Sequence, residues 1–162
     1  MRRRRNKDPE IWRLRGLAEA DEELRKTLLE LRMMEGSADL IQSRLNIVNA
    51  ALGETILAAN ALEGVKGCPK GTEVLVPVGA GSYLRMTLTD VENAITGVGA
   101  GVCIEKSIES SIQDLKSRQE ELEKLSSSLQ QQLIQLLNNI ESSKVRLSRL
   151  IEAQSRSQPQ KA

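Results

Sequence analysis

Apolar residues recur at alternating spacings of three and four along two long stretches of the chain. Over residues 9–60 one row at seven-residue intervals is apolar throughout: Leu17, Leu24, Leu31, Ala38, Leu45, Leu52 and Ala59. The row three residues before it, which would complete a heptad, is mixed: Leu14, Asp21, Leu28, Glu35, Gln42, Asn49 and Ile56. Asp8 offers an N-cap, and Pro9 suits the first helical position. We therefore predict a long amphipathic helix over residues 9–60.

The same repeat returns over residues 107–154. One row contains Ile108, Leu115, Leu122, Leu129, Leu136, Ser143 and Leu150, and the other contains Ile112, Gln119, Ser126, Leu133, Ile140 and Leu147. A heptad sustained over this length is typical of a coiled coil. Two helices of similar length separated by a different kind of segment predict an antiparallel coiled-coil hairpin.

Polar residues inside the heptad rows predict which positions face each other. If Asn49 lies opposite Gln119 and Gln42 opposite Ser126, polar layers meet polar layers. A shift by one heptad sets Asn49 on Ser126 but leaves Gln42 and Gln119 against apolar partners. Because buried polar pairs can fix register, we predict the first arrangement.

The middle segment, residues 61–106, has most of the glycines and four short runs of strand-forming residues. GAG at 79–81 and at 99–101 fits tight turns, so the runs form two β-hairpins. Two hairpins have little apolar surface for a core of their own, and their open edges favour pairing with other subunits. The residues expected to mediate assembly are Val74, Val76, Leu84, Met86, Leu88, Ile95, Val102 and Ile104. The predicted fold class is α+β, mainly α, with polar disordered tails at residues 1–8 and 155–162.

Composition removes most catalytic chemistry from consideration. The chain has no histidine, which excludes Ser/His/Asp and Cys/His nucleophile pairs, an imidazole base and histidine metal ligands. Cys68 and Cys103 are too few for a structural zinc site or a disulfide framework and indicate a reducing compartment. We expect no enzyme activity, no metal, no cofactor and a cytoplasmic location.

A basic run at the start of the chain precedes a mildly acidic remainder. Residues 1–7, MRRRRNK, hold five basic and no acidic groups, whereas the rest has four more acidic than basic side chains. No apolar run approaches the roughly 18 residues of a membrane span, and none follows the basic run as in a secretory signal. Since no basic helix face or aromatic platform extends the run, a solvated tail is favoured over nucleic-acid or acidic-lipid binding.

The strands and turns of the middle segment resemble those of a known family. EVLVPVGAGSYLRMTLTD (73–90) and AITGVGAGVCIEKSIESSI (94–112) are similar to the linker of an archaeal-like α-type prefoldin subunit. That linker has a VLVPLG-like strand, a GAG turn and an IGAGV-VEK strand leading into the second helix. Two hairpins match the α type, because β-type subunits have one. The resemblance covers nearly the whole chain, apart from the MRRRRNK extension.

This resemblance implies an ATP-independent chaperone of the holdase kind. In the family, two α-type and four β-type subunits join their strands into a β-barrel that carries six coiled coils. Unfolded clients are held at the coiled-coil tips and delivered to a chaperonin. Apolar residues outside the heptad rows and near the chain ends are then candidates for client contact: Trp12, Leu29, Met33, Met34, Leu137, Val145 and Ile151. They could equally broaden the core stripe of the two helices.

A different class of function is also compatible with the sequence. A coiled-coil scaffold or tether could form another oligomer through its hairpins and bind one folded partner at its tips. A nucleic-acid-associated protein that uses the arginine run is a third and less favoured possibility.

Overall fold

A computed structural model of the chain describes the backbone of residues 9–157 and, within them, the side chains of residues 15–155 except Leu17. The elements are α1 (Pro9–Val65), β1 (Glu73–Gly79), β2 (Ser82–Thr87), β3 (Asn93–Gly99), β4 (Val102–Ser107) and α2 (Ile108–Ser157). The strands form two separate antiparallel pairs, β1 with β2 and β3 with β4. The prediction of a mainly helical α+β chain, with two β-hairpins between two long helices, is confirmed.

Both helices extend past their predicted ends. α1 continues beyond residue 60 to Val65, and Gly67 follows with a φ of 84°, as is common just after a helix C-terminus. α2 ends at Ser157, so residues 155–157 are helical although we expected them in a disordered tail. The rest of the two predicted tails, residues 1–8 and 158–162, lies outside the described residues.

The chain divides into two compact units. The terminal unit is Met1–Leu45 with Leu129–Ala162, and the hairpin unit is Asn46–Ser128, which contains all four strands. Within each unit a stretch of α1 runs antiparallel to a stretch of α2. Ion pairs connect the two helices in the terminal unit, between Glu35 and Lys144 at 3.1 Å, and in the hairpin unit, between Glu63 and Lys116 at 2.6 Å.

One of the two predicted heptad rows of α1 is core, and the other is not. Leu31, Ala38 and Leu45 of the first row are buried in the terminal unit. In the second row, however, Leu28 is exposed. The second core row is instead formed by the residues one position earlier in the sequence. In this row Thr27 and Thr55 are buried, and Met34, Ile41, Val48 and Leu62 are half-buried. The assignment of Leu28, Gln42 and Asn49 to the core was therefore wrong.

Two threonines make the second core row of α1 difficult to recognise in the sequence. The hydroxyl of Thr27 donates to the carbonyl oxygen of Glu23 at 2.9 Å, and that of Thr55 donates to the carbonyl oxygen of Ala51 at 2.8 Å. Such bonds to the preceding turn satisfy the hydroxyl inside its own helix. Both threonines can therefore be buried without a polar partner on α2, although their residue type suggests a solvent-facing position.

The polar contact in the hairpin unit also differs from the prediction. Ser126, which is buried, donates to Oδ1 of Asn49 at 2.8 Å. Gln119 instead donates to Glu123, four residues further along α2, at 2.8 Å. The predicted pairings of Asn49 with Gln119 and of Gln42 with Ser126 were wrong. The observed contact belongs to the register one heptad away, which matching of polar layers disfavoured.

One face of the first hairpin is entirely apolar, whereas the other carries both polar and apolar side chains. Val74 lies opposite Met86, and Val76 lies opposite Leu84, so these four side chains share one face. The other face carries Glu73 and Arg85, which form an ion pair at 3.8 Å, together with Leu75, Pro77, Tyr83 and Thr87.

Each hairpin turns through its Gly-Ala-Gly sequence, as predicted. Ala80 and Ala100 have φ values of 49° and 50°, in the left-handed region that tight hairpin turns require. Gly79 and Gly99, with φ values of 105° and 114°, lie beside irregularities in the strand register. Only glycine adopts such φ values without strain.

A pair of hydroxyl groups, one of them fully buried, links the second hairpin to α2. Ser111 is fully buried, and its Oγ lies 2.8 Å from Oγ1 of Thr96 on β3. Lys106, on the same hairpin face as Thr96, forms an ion pair with Asp114 of α2. The Thr96 face of this hairpin therefore packs toward α2, and the opposite face, which carries Ile95, is left exposed.

Removing one partner of this pair is expected to cost more than removing both. In Thr96→Val the Ser111 hydroxyl loses its partner while buried, which costs about 1–3 kcal/mol of unfolding free energy. The double variant Thr96→Val/Ser111→Ala leaves no buried hydroxyl and should be less destabilised than Thr96→Val alone. Urea unfolding at fixed protein concentration measures the unfolding free energies of the unsubstituted protein, Thr96→Val, Ser111→Ala and the double variant. Equal destabilisation of Thr96→Val and the double variant would contradict the assigned role of the pair.

One observation is contrary to the expectation that no segment of the chain spans a membrane. Among the described residues, α1 over Ala18–Val65 is long and apolar enough to cross a membrane by length and composition. This criterion is weak evidence, because a helix that packs its apolar stripe against another helix of a soluble protein also meets it. In α1 that stripe includes the buried residues Leu31, Ala38 and Leu45.

Candidate binding surfaces

Most residues predicted for client contact lie on the surface of the terminal unit. The exposed ones are Leu29, Met33, Leu137, Val145 and Ile151. Met33, for example, leaves 66% of its surface in water. They lie outside the core cluster of Leu31, Ala38 and Ile140, so the alternative that they merely broaden the core is not favoured. Their role in client binding stays a prediction.

The other two residues predicted for client contact, Met34 and Trp12, differ from these five. Met34 is half-buried and packs against the core cluster of the terminal unit, so it contributes to the coiled-coil core as well as to the surface. Trp12 lies in α1, but its side chain is outside those that the structure describes.

Sequence reasoning missed three large exposed side chains on α1. Leu40 belongs to the terminal unit, whereas Ile47 and Leu57 belong to the hairpin unit; each is more than half exposed. Met33, Leu40 and Ile47 follow one another at seven-residue intervals. A third apolar row beside the two core rows is therefore visible in the sequence.

Two hollows lie on the surface of the terminal unit. The methionine hollow, of about 500 Å³, is lined by Glu30, Met33, Met34, Asn139, Ser142 and Ser143. The acidic hollow, of about 390 Å³, is lined by Glu19, Glu22, Glu23, Lys26, Thr27, Glu30 and Arg146. Glu30 lines both hollows, so they adjoin. Together they offer apolar contact next to carboxylates.

The residues predicted for assembly lie on both hairpins and are largely accessible. On the first hairpin, Val76, Leu84 and Met86 are exposed and share the face on which Val74 is half-buried. Leu88 follows β2 and is half-buried. An accessible apolar face on a two-stranded sheet is suited to pairing with another subunit. That these residues mediate assembly stays a prediction.

The candidates on the second hairpin do not share one face. Thr96 lies opposite Ile104, so Ile104 is on the side that packs toward α2, although 43% of it is exposed. Ile95 is on the other side and is 79% exposed. Val102 lies opposite Gly99 beside the turn. Ile95 is therefore the most accessible apolar side chain of this hairpin.

Ion pairs and a polar turn organise the charged surface of the hairpin unit. A hydrogen bond from Lys116 lowers the pKa of Glu63, and Lys66 lies 3.2 Å from Glu109. Asp90, between the hairpins, accepts hydrogen bonds from the backbone N–H groups of Glu92 and Asn93, which lower the pKa of its carboxyl. These ion pairs and hydrogen bonds lie at the solvent-accessible surface and order it locally.

In the described part of the chain, no three His, Cys, Asp or Glu residues are grouped so that they could hold a metal ion. Cys68 and Cys103 are both free thiols. The surfaces described above are apolar and charged, and they lie on the terminal unit and on the two hairpins.

Comparison with known proteins places these features in one family. The model of the prefoldin family, described as "Prefoldin subunit", matches residues 34–153. The chain is 32% identical over 115 residues to the prefoldin α subunit of Methanopyrus kandleri, covering 71% of this chain and 73% of that relative. It is also 32% identical over 125 residues to the prefoldin α subunit of Pyrococcus horikoshii, covering 76% and 84%.

The fold is also similar to that of a solved structure. A chain of the filamentous PFD from Methanocaldococcus jannaschii, determined by cryo-EM, superimposes with a TM-score of 0.57 at 20% identity. The match covers 69% of this chain and 93% of the other. At this level of identity the likeness establishes the shared arrangement of helices and hairpins.

Proposed function

Because this chain belongs to the prefoldin family as an archaeal-type α subunit, we propose that it is a holdase that binds unfolded proteins without ATP and delivers them to a chaperonin. It assembles through its hairpins with β-type prefoldin subunits, two α with four β, in the cytoplasm. It binds clients through the terminal unit and performs no chemical reaction on them.

The observation that carries this proposal is the set of exposed aliphatic and methionine side chains on the terminal unit, such as Leu29, Met33 and Ile151. Burying one such side chain fully contributes about 1.5–3 kcal/mol. Methionine also adapts its shape to different partners, which suits a surface that binds many unfolded sequences.

Weak contacts on one subunit become effective when several subunits bind the same chain. Once one terminal unit is occupied, a second one meets the client at a high effective concentration. The apolar face of the first hairpin, which includes Leu84 and Met86, supports such assembly because it is accessible in the single chain. Retention of a client then depends on assembly as well as on the terminal unit.

The competing possibility is a scaffold or tether that binds one folded partner. A second alternative is a filamentous assembly, because the similar solved structure is that of a filamentous protein. Mixing with a β-type subunit distinguishes these alternatives from the proposed holdase. A defined hetero-oligomer that suppresses aggregation of several unrelated clients supports the proposal. An assembly of this chain alone that binds a single partner would favour the scaffold.

The double variant Met33→Gln/Ile151→Gln tests the role of the terminal unit. We expect it to assemble normally but to need about thirtyfold more complex for the same suppression of aggregation, because two partly buried contacts of about 1 kcal/mol each are lost per subunit. Light scattering of a chemically unfolded client, titrated with the assembled complex, measures this concentration.

The matched control is Ile47→Gln/Leu57→Gln, which removes two exposed aliphatic side chains from the hairpin unit. It should suppress aggregation as well as the unsubstituted complex. If both variants suppress aggregation normally, or if both lose suppression equally, binding is not localised to the terminal unit.

A further inference from the structure

The terminal unit places an unbalanced group of carboxylates next to its methionine-lined surface. The acidic hollow is lined by four glutamates and by two cations, Lys26 and Arg146. Glu19 forms an ion pair with Arg15 at 3.3 Å, and Glu23 pairs with Arg146 at 2.5 Å. Among the side chains that the structure describes, Glu22 and Glu30 form no ion pair. The pKa of Arg146 is raised by the hydrogen bond and charge of Glu23 and also by the charge of Glu30, so Glu30 already lies near a cation of the hollow. Neither Glu22 nor Glu30 is held in an ion pair with a described residue, so both carboxylates can contact a ligand.

The neighbouring methionine hollow supplies the apolar part of the same surface. Met34 packs against the core cluster and forms an inner wall, and Met33 is a largely exposed outer wall. Asn139, Ser142 and Ser143 on α2 complete the lining without adding charge. A side chain that enters here contacts methionine on one side and lies near the carboxylate of Glu30.

The spacing of these groups along α1 suits a short extended peptide. Glu30 lies three residues from Met33, about 4.5 Å along the helix axis, and Glu22 lies eleven residues away, about 16 Å. An extended chain rises about 3.3 Å per residue. Because the side chains of an extended peptide alternate between two faces, a peptide with an aliphatic residue in the methionine hollow would bring the residue two positions away toward Glu30 and the residue about four positions away toward Glu22.

We propose that this combined groove gives the chain a preference for unfolded segments in which an aliphatic or methionine residue has lysine or arginine two positions and about four positions away. The inference rests on the proposed holdase function and names the class of client segment. The arginine run of this chain fits less well, because RRRRNKD over residues 2–8 has basic groups but no aliphatic side chain. The groove has both an apolar and an acidic part to fill.

Three fluorescent peptides that differ only in charge provide the test. Each carries the same Leu-Met-Leu centre, with lysine, glutamine or glutamate two and four positions beyond the last leucine. At low ionic strength we expect the assembled complex to bind the lysine peptide about fivefold more tightly than the glutamine peptide, since two exposed ion pairs contribute modestly. The preference should disappear at high salt, because screening shortens the range of such pairs.

The variant Glu22→Gln/Glu30→Gln identifies the source of the preference. It should bind all three peptides with the affinity that the unsubstituted complex has for the glutamine peptide. The matched control Asp39→Asn/Glu152→Gln removes two carboxylates of the terminal unit that line neither hollow, and it should keep the preference. A preference that is absent, or that persists in Glu22→Gln/Glu30→Gln, overturns the inference.

Two further outcomes separate this inference from its premise and from the other possible occupant. If aggregation suppression is normal but no charge preference is found, the inference fails and the holdase function stands; if neither suppression nor peptide binding is found, the proposed function itself fails. If removal of residues 1–7 strengthens lysine-peptide binding, and does so only while Glu22 and Glu30 are present, the arginine run occupies the groove and the assignment to clients is overturned.

Discussion

Leu84→Asp/Met86→Asp is expected to abolish assembly with other prefoldin subunits while leaving α1 and α2 folded. Both side chains are exposed and lie on the apolar face of the first hairpin with Val74 and Val76. Each apolar side chain buried in an assembly contributes about 1.5–3 kcal/mol, and a carboxylate buried without a partner is strongly unfavourable. We therefore expect the assembly affinity to fall by more than about a hundredfold.

Native mass spectrometry after mixing with a β-type subunit measures this loss, and circular dichroism reports the helices. The matched control is Tyr83→Asp/Thr87→Asp, which adds the same charge to the same strand on the opposite face. We expect the control to assemble. If both variants assemble, or if neither does, the apolar face of the first hairpin is not what selects the partner.

The sequence was sufficient to predict the hairpins because their signals are local. Alternation along β2 distinguishes Leu84 and Met86 from Tyr83 and Arg85, and two GAG sequences supply the glycines that the turns need. No contact far away in the chain is required to place these strands. For the same reason, alternation along β2 is enough to place Leu84 and Met86 on one face of the first hairpin.

The packing of the two helices could be predicted only in part. The row containing Leu31 and Ala38 was identified because every member is apolar, whereas its partner row was missed because Thr27 and Thr55 are polar by residue type. Whether a threonine hydroxyl bonds to its own helix or to the other helix is a question of three-dimensional contacts. The wrong row placed Gln42 and Asn49 in the core, and the register derived from them was wrong as well.

The surface of the terminal unit shows the same division between local and long-range information. That Met33 lies outside the heptad rows follows from spacing alone. That Met34 lines a hollow with Asn139 and Ser142 depends on which turn of α2 lies beside it, which the sequence did not predict. The adjoining carboxylates of Glu22 and Glu30 were missed because acidic residues on a helix surface are ordinary in sequence.

Asn49→Cys/Ser126→Cys is expected to form a disulfide readily in a background where Cys68 and Cys103 are serine. The native side chains at these positions share a hydrogen bond of 2.8 Å, and a disulfide needs Cα atoms about 4.4–6.8 Å apart. Mild oxidation followed by non-reducing electrophoresis measures the yield, with each single-cysteine variant as a check for disulfides between subunits.

The pair Asn49→Cys/Gln119→Cys is the matched control and should remain reduced. Residue 119 is seven residues from 126, so its Cα is displaced by about 10 Å along α2, beyond the reach of a disulfide to position 49. The two pairs differ only in register, so their yields distinguish the observed contact from the polar matching that the sequence favoured. Oxidation of the 49–119 pair, with the 49–126 pair remaining reduced, would restore that earlier register and remove Ser126 as the partner of Asn49.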